Sequence, residues 1–333
     1  MESAICTGSV REVKTILDIL GNMGKASIIK ELTGCYGGRR GHPPRADDNG
    51  LFRMSVPLLH AALTGSVEVF LTVLGAMRVH LRARQASALG SEVKRAMTAR
   101  DGHGRSTLTT ALASKSKDAF EAVLASLEED LTKDEVQELL LGSDAEGQKI
   151  LHWAAATGSK DTFEAVLAAL SNRLSKGQVE GLLAASTAAA SDDIFCESRT
   201  ILNSAASSGG TGVFETILSQ LDTRWSGWQV KRIMIYQDMG FQENVLLSAI
   251  KSGSPDGFSA VLSSVSNRLT PQEVTDLILG ADEGKNILHA AAEGGSKDIF
   301  EAVLRALQRE VDAEKVRTMF RSTAKHGRTI LQF

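Results

Sequence analysis

The chain reads as an all-α protein built from about seven copies of one helical unit. Three observations predict this: a ten-residue string recurs, its apolar residues fall at helical spacing, and no stretch sustains strand alternation. The string is Gly-Ser-Lys-Asp-Thr-Phe-Glu-Ala-Val-Leu at 158–167, Gly-Ser-Lys-Asp-Ile-Phe-Glu-Ala-Val-Leu at 295–304 and Lys-Ser-Lys-Asp-Ala-Phe-Glu-Ala-Val-Leu at 115–124. Looser copies centre on Phe70, Phe214 and Phe258, and one more puts Val13 in the Phe position. The anchors Val13, Phe70, Phe120, Phe163, Phe214, Phe258 and Phe300 are separated by 57, 50, 43, 51, 44 and 42 residues. Seven copies are hard to obtain by chance.

Each unit divides into three helical pieces. The first is short, as in Ile150-Leu151-His152-Trp153-Ala154-Ala155-Ala156, where paired alanines allow close helix approach. Gly158 stops it, as glycine does past a helix end. Ser159 opens the second piece as an N-cap before a charged first turn. There Phe163, Val166, Leu167 and Leu170 form one stripe at i, i+3, i+4 and i+7. The third piece follows another cap, as in Thr132-Lys133-Asp134-Glu135-Val136 and Thr270-Pro271-Gln272-Glu273-Val274, with Pro271 at the first helical turn. Asp144-Ala-Glu-Gly147 and Asp282-Glu-Gly284 turn the chain into the next unit. None of these helices can bury its stripe alone, so stacking of neighbours must do it.

The strings Gly147-Gln-Lys-Ile-Leu151-His152-Trp-Ala154-Ala155-Ala-Thr-Gly158 and Gly284-Lys-Asn-Ile-Leu288-His289-Ala-Ala-Ala-Glu-Gly-Gly295 resemble the ankyrin repeat. Val56-Pro57-Leu58 is similar to its Thr-Pro-Leu, with His60 one place late, and Arg199-Thr200-Ile201-Leu202 and Arg328-Thr329-Ile330-Leu331 open the same unit again. The resemblance covers nearly the whole of 1–333 and implies a single curved array, with a basic Gly/Pro loop inserted at 34–50 between the first two units. One departure is the period: an ankyrin unit has about 33 residues, and the added third helix takes the place where its finger loop would begin. HEAT or armadillo arrays, whose period is about 40–47 residues, are the alternative fold.

Composition excludes several classes. Only 16 residues are aromatic (11 Phe, 3 Trp, 2 Tyr), so the core must rest on aliphatic side chains. No window reaches the roughly 18 apolar residues of a membrane span, and the start lacks the basic and apolar runs of a signal peptide. Cys6, Cys35 and Cys196 stand far apart in no metal or redox spacing, which points to the cytoplasm or another reducing intracellular compartment. Gly24-Lys25 and Gly284-Lys285 lack the surroundings of a phosphate loop, and no standard zinc spacing occurs. His152 and His289 occupy the ankyrin His position, filled elsewhere by Leu59, Thr109, Asn203, Leu247 and Gln332, which suits structure rather than catalysis. Two acids beside Cys196 raise rather than lower its pKa. The expectation is no enzyme, no metal and no cofactor.

What remains is binding. The resemblance implies a protein–protein scaffold or adaptor gripping its partner along the concave face, through turn residues and first-helix ends. By position these are Glu146, Gln148, Ala156 and Thr157 in the fourth unit and Glu283, Lys285 and Glu293 in the seventh. The matching helix ends are Leu63 and Thr64, Ser114, Ser207 and Ser208, and Lys251 and Ser252. Trp225 takes the place of Leu174 and reads as core, whereas Trp228 replaces Gly177 in a first turn and reads as an exposed interface anchor. Residues 1–105 hold 15 Lys or Arg against 9 Asp or Glu, a net of +6, while the remainder holds 22 against 31, a net of −9. Arg39, Arg40, Arg45, Arg78, Arg82, Arg84 and Arg95 make a basic patch. The second reading is a permanent subunit of a larger assembly whose basic first third docks an acidic partner. Nucleic acid fits less well, because no aromatics interleave with these bases.

Overall fold

Hydroxyl caps set the helix starts. Ser66, Ser116, Ser159, Ser254 and Ser296 each accept from the backbone N–H three residues on, satisfying a donor that the first helical turn would leave open. The computed structural model describes residues 5, 7–23, 57–82, 93–94, 96–185, 200–235, 244–280, 286–323 and 329–332. The chain divides into two compact units, Met1–Ile150 and Leu151–Phe333.

In the first unit lie α1 (Val10–Met23), α2 (Pro57–Leu63), α3 (Val67–Arg82), α4 (Thr107–Ala113), α5 (Lys117–Asp130) and α6 (Lys133–Leu141). Short α2 packs on short α4, long α3 packs on α1 and α5, and α6 folds back on α5. Helix α7 (Ile150–Ala156) starts at the boundary.

The second unit continues with α8 (Lys160–Ser171), α9 (Lys176–Ala184), α10 (Ile201–Ser207), α11 (Thr211–Asp222), α12 (Gly227–Ile235) and α13 (Val245–Lys251). Then come α14 (Pro255–Ser266), α15 (Pro271–Leu279), α16 (Ile287–Glu293), α17 (Lys297–Glu310), α18 (Ala313–Arg321) and a 3₁₀ turn, Ile330–Gln332. First helices α10, α13 and α16 form one row, ending on the 3₁₀ turn, and second helices α8, α11, α14 and α17 form another. Third helices α9, α12, α15 and α18 each lean on the second helix of their own copy. Among the described residues the only strand-like pairings are two isolated bridges, Arg100 with Ser106 and Ser143 with Lys149. The fold is all-α, as the repeat predicts.

The anchors Val13, Phe70, Phe120, Phe163, Phe214 and Phe258 are buried to within 1%. Phe300 is a correction: it is only half-buried, because no later described second helix packs against α17. At the first turn of six copies, Gly8, Gly65, Gly158, Gly209, Gly253 and Gly295 take φ of +65° to +70° or slightly above, up to +73°. Lys115 fills that place in one copy at φ +61°, a conformation strained for a side chain. Close approach also demands glycine at Gly210, where a Cβ would stand 2.3 Å from the carbonyl oxygen of Gly158.

The first helices explain the histidines. In α16 the Asn286 side chain accepts from the N–H groups of Leu288 and His289, while His289 Nδ1 accepts from Asn286 N–H at 3.3 Å. In the last copy Gln332 Oε1 accepts from Thr329 N–H at 2.8 Å in the same way. In α10, Thr200 caps Asn203, whose amide reaches Ser248 of the next copy at 3.2 Å. His152 and His289 are fully buried. At this position His289 and Gln332 reach back to the backbone N–H three residues earlier, as in a capping box, while Leu59 and Leu247 hold the same place in other copies.

Candidate partner-binding site

The third helices share one register. Thr132, Ser175 and Thr270 cap α6, α9 and α15 in capping boxes with Glu135, Gln178 and Glu273, and in α12 Gln229 Oε1 accepts from Ser226 N–H at 3.0 Å. One side of each helix is buried: Val179, Leu182 and Leu183 in α9, Val230 and Met234 in α12. The opposite side is where copies diverge. Two and six residues past the cap stand Asp134 and Glu138 in α6, Gln272 and Asp276 in α15, and Glu314 and Thr318 in α18. In α9 these places hold Gly177 and Gly181, and in α12 they hold Trp228 and Arg232.

The two departures adjoin. A Cβ at Gly177 or Gly181 would meet nothing within 4 Å, so α9 leaves space where other copies carry side chains. A groove of about 500 Å³ opens there, walled by Glu180, Gly181 and Ala184 on one side and by Trp225, Trp228, Gln229, Arg232 and Ile233 on the other. Trp228 does not sink into it: the indole is 66% exposed. The Arg232 guanidinium lies 5.6 Å from its ring centre, a contact worth roughly 0.5–1 kcal/mol at an exposed site. Trp225 corrects its sequence reading. It is half-buried and lines the groove, whereas Leu174 at the matching place is buried.

On the far side of α12 a smaller groove of about 320 Å³ is bordered by Ile235, Glu273 and Asp276. Lys231 closes on Glu273 at 3.1 Å. The Glu273 carboxyl is held below its ordinary pKa, first by the Thr270 N–H that it accepts and then by Lys231. Glu135 in the first unit is lowered likewise, by Lys94 and then by the Thr132 N–H.

The other sequence-predicted contacts divide into three groups. Thr64, Ser114, Thr157, Ser208 and Ser252 are half-buried, and each hydroxyl is engaged in its own turn. Each donates to the carbonyl three residues back, at 2.5–2.7 Å, and accepts from the N–H two residues on. Ser207 donates to Ser204, Ala156 is half-buried, and Gln148 is half-buried against Glu146 at 2.9 Å. Leu63, Glu146, Lys251 and Glu293 are exposed. Glu283 and Lys285 lie outside the described residues.

The basic patch changes character in the first unit. Arg78 bridges Glu129 at 2.8 Å and Asp130 at 2.6 Å, Lys94 pairs with Glu135, and Arg105 with Asp101 at 2.6 Å. For Arg78 and Lys94 the neutralising acids belong to the following copy, whereas Asp101 lies four residues before Arg105. Arg39, Arg40, Arg45, Arg84 and Arg95, the Arg82 side chain, the 34–50 insertion and all three cysteines lie outside the described residues.

Among the described residues no three His, Cys, Asp or Glu side chains gather as a metal would require. No described helix is long and apolar enough to cross a membrane. No family model matches the chain, and no curated protein sequence matches it. Among solved structures it is similar to the ankyrin repeat domain of Bcl-3, at 14% identity over 84% of this chain and 94% of that one, with a TM-score of 0.40. It is also similar to the human ASB11 ankyrin repeat domain, at 14% identity over 84% of this chain and 91% of that one, with a TM-score of 0.41. Both neighbours are ankyrin repeat domains.

Proposed function

We propose that the chain is a non-catalytic protein-interaction scaffold, and that the groove between α9 and α12 is a principal contact surface of its second unit. One observation carries this reading: Trp228 is 66% exposed at a register position where the other copies carry Gly, Asp, Gln or Glu. Exposing an indole forfeits the burial of a large apolar surface, and its cation–π contact with Arg232 offsets only part of that loss. Tryptophan beside a pocket is a common energetic centre of protein interfaces. Helical repeats suit the role because copies stack into long surfaces on which single positions vary without disturbing neighbours.

The test is affinity capture from native extract with the wild-type chain, with Trp228→Ala, and with a chain lacking 36–49. A stoichiometric partner that Trp228→Ala loses and the loop deletion keeps supports the groove. Equal recovery by Trp228→Ala rejects it. Loss confined to the loop deletion, or loss in moderate salt, favours the basic first third as the docking element of a permanent subunit.

A further inference from the structure

We infer that the α9–α12 groove selects a peptide segment of a partner protein that carries a side-chain carboxylate close to a large apolar side chain. The inference rests on the groove being a binding site and adds the chemistry of what it binds.

The argument begins with charge. In the three third helices whose register positions do not border this groove, the sixth residue is Glu138, Asp276 or Thr318, never a cation. Arg232 reverses that sign where the wall faces open space. No carboxylate pairs with it among the described residues, and its guanidinium lies over the Trp228 ring. By contrast Arg268, in the next copy of the same unit, is neutralised by Asp222 at 3.0 Å. Glu180 on the opposite wall already has Lys176, at 3.8 Å. The groove therefore presents one uncompensated charge, and it is positive.

Donor geometry points the same way. Gln229 sits one turn before Arg232 on the same helix, at i and i+3, and lines the same wall. Its oxygen is occupied by Ser226, through both N–H and Oγ at 3.0 Å. The amide is thereby oriented with its N–H donors left over. A guanidinium and an amide N–H presented side by side match a carboxylate and offer nothing to a cation.

Apart from Glu180 and Thr200, the rest of the lining is apolar. Trp225, Trp228 and Ile233 face Gly181 and Ala184, whose lack of bulk leaves about 500 Å³, enough for one or two large side chains.

The experiment is selection of random dodecapeptides displayed on phage, fused through their C-termini so that every acid is a side chain. Wild-type chain is the bait and Trp228→Ala the counter-bait. The expected outcome is enrichment of Asp or Glu within four residues of Phe, Leu, Ile or Trp. A selected peptide, synthesised with an amidated C-terminus, then loses about tenfold or more in affinity on changing its acid to the amide, and similarly with Arg232→Gln. Arg232→Glu as bait is expected to enrich Lys or Arg instead. Because one arm alters only the peptide, a misfolded variant cannot imitate the result. Enriched peptides that lack acids, or that tolerate both the acid-to-amide change and Arg232→Gln, overturn the chemistry while leaving the groove. Peptides that bind Trp228→Ala as well as wild type, or no enrichment over it, overturn the groove itself.

Discussion

The first helices and the third helices of the copies differ in what their surroundings ask of them. The first helices α2, α4, α7, α10, α13 and α16 each have seven residues, and in α10 six of them, Ile201 to Ala206, are buried. The third helices α6, α9, α12, α15 and α18 each have nine, and in α9 only Val179, Leu182 and Leu183 are buried. A helix enclosed on nearly every side must repeat its residues from copy to copy, since any change meets a packed neighbour. A helix with one free face can change that face at little cost. Repetition therefore reports packing, whereas a free face can depart from it. Trp228 and Arg232 are such a departure, and they line a groove whose opposite wall includes Gly181.

The contrast can be broken or sharpened by substitution. The largest effect is expected in a first helix: Leu202→Ala, at a fully buried position, destabilises by about 2–5 kcal/mol in denaturant unfolding. A milder loss on the whole chain would show that first helices are less constrained than their burial implies. Next, Asn286→Ala removes the cap of α16 and amide bonds to Met319 and Ser322 at 3.1 and 2.8 Å, costing about 1–2 kcal/mol. Asn286→Ser, which restores a cap but not the long reach, is expected to recover part of it.

Lys115→Gly should act in the opposite sense. At φ +61° the lysine carries strain that glycine lacks, so the variant gains on the order of 1 kcal/mol, read as a raised unfolding midpoint. A drop would mean that the lysine stem packs usefully on its turn. Smaller still is the pH effect in the third helices. Thr270 N–H and Lys231 hold the Glu273 carboxyl below its ordinary pKa in the folded chain. Its stabilisation is therefore present above the unfolded-chain value and disappears as pH falls through the lower folded value. A carboxyl carbon titration by NMR should place that midpoint below the one for an unpaired glutamate, and Lys231→Gln should move it part of the way back. The smallest expected change in stability belongs to Trp228→Ala, within about 0.5 kcal/mol of wild type. That near-silence in unfolding, set beside lost binding, would separate a contact residue from a core residue in one variant.

Much of the architecture was readable from local pattern. The serine caps, the Pro271 start and the Phe stripe are each decided within one or two helical turns, and the structure has them where the spacing implies. That the histidine at this position is structural could also be reached, because Leu59, Thr109, Asn203, Leu247 and Gln332 stand in its place in other copies, an exchange that a structural position tolerates. Trp228 was legible as an oddity, by comparison with Gly177. Its neighbour Trp225 was misread because substitution for a leucine looks like core until the facing wall is known to be glycine and alanine.

The amino-acid sequence by itself determined the all-α class, the copy number, the order of short, long and third helix in each copy, and most of the core. Those features follow from periodicity and capping, which act over a few residues. Tertiary structure alone decided which charges are free and which apolar residues are covered. Arg78 finds Asp130 across 52 positions of chain, Phe300 stays half-buried because no later described second helix packs on α17, and the groove exists only because α9 and α12 are adjacent. Burial and charge pairing depend on what another copy presents, and that partner lies dozens of residues away.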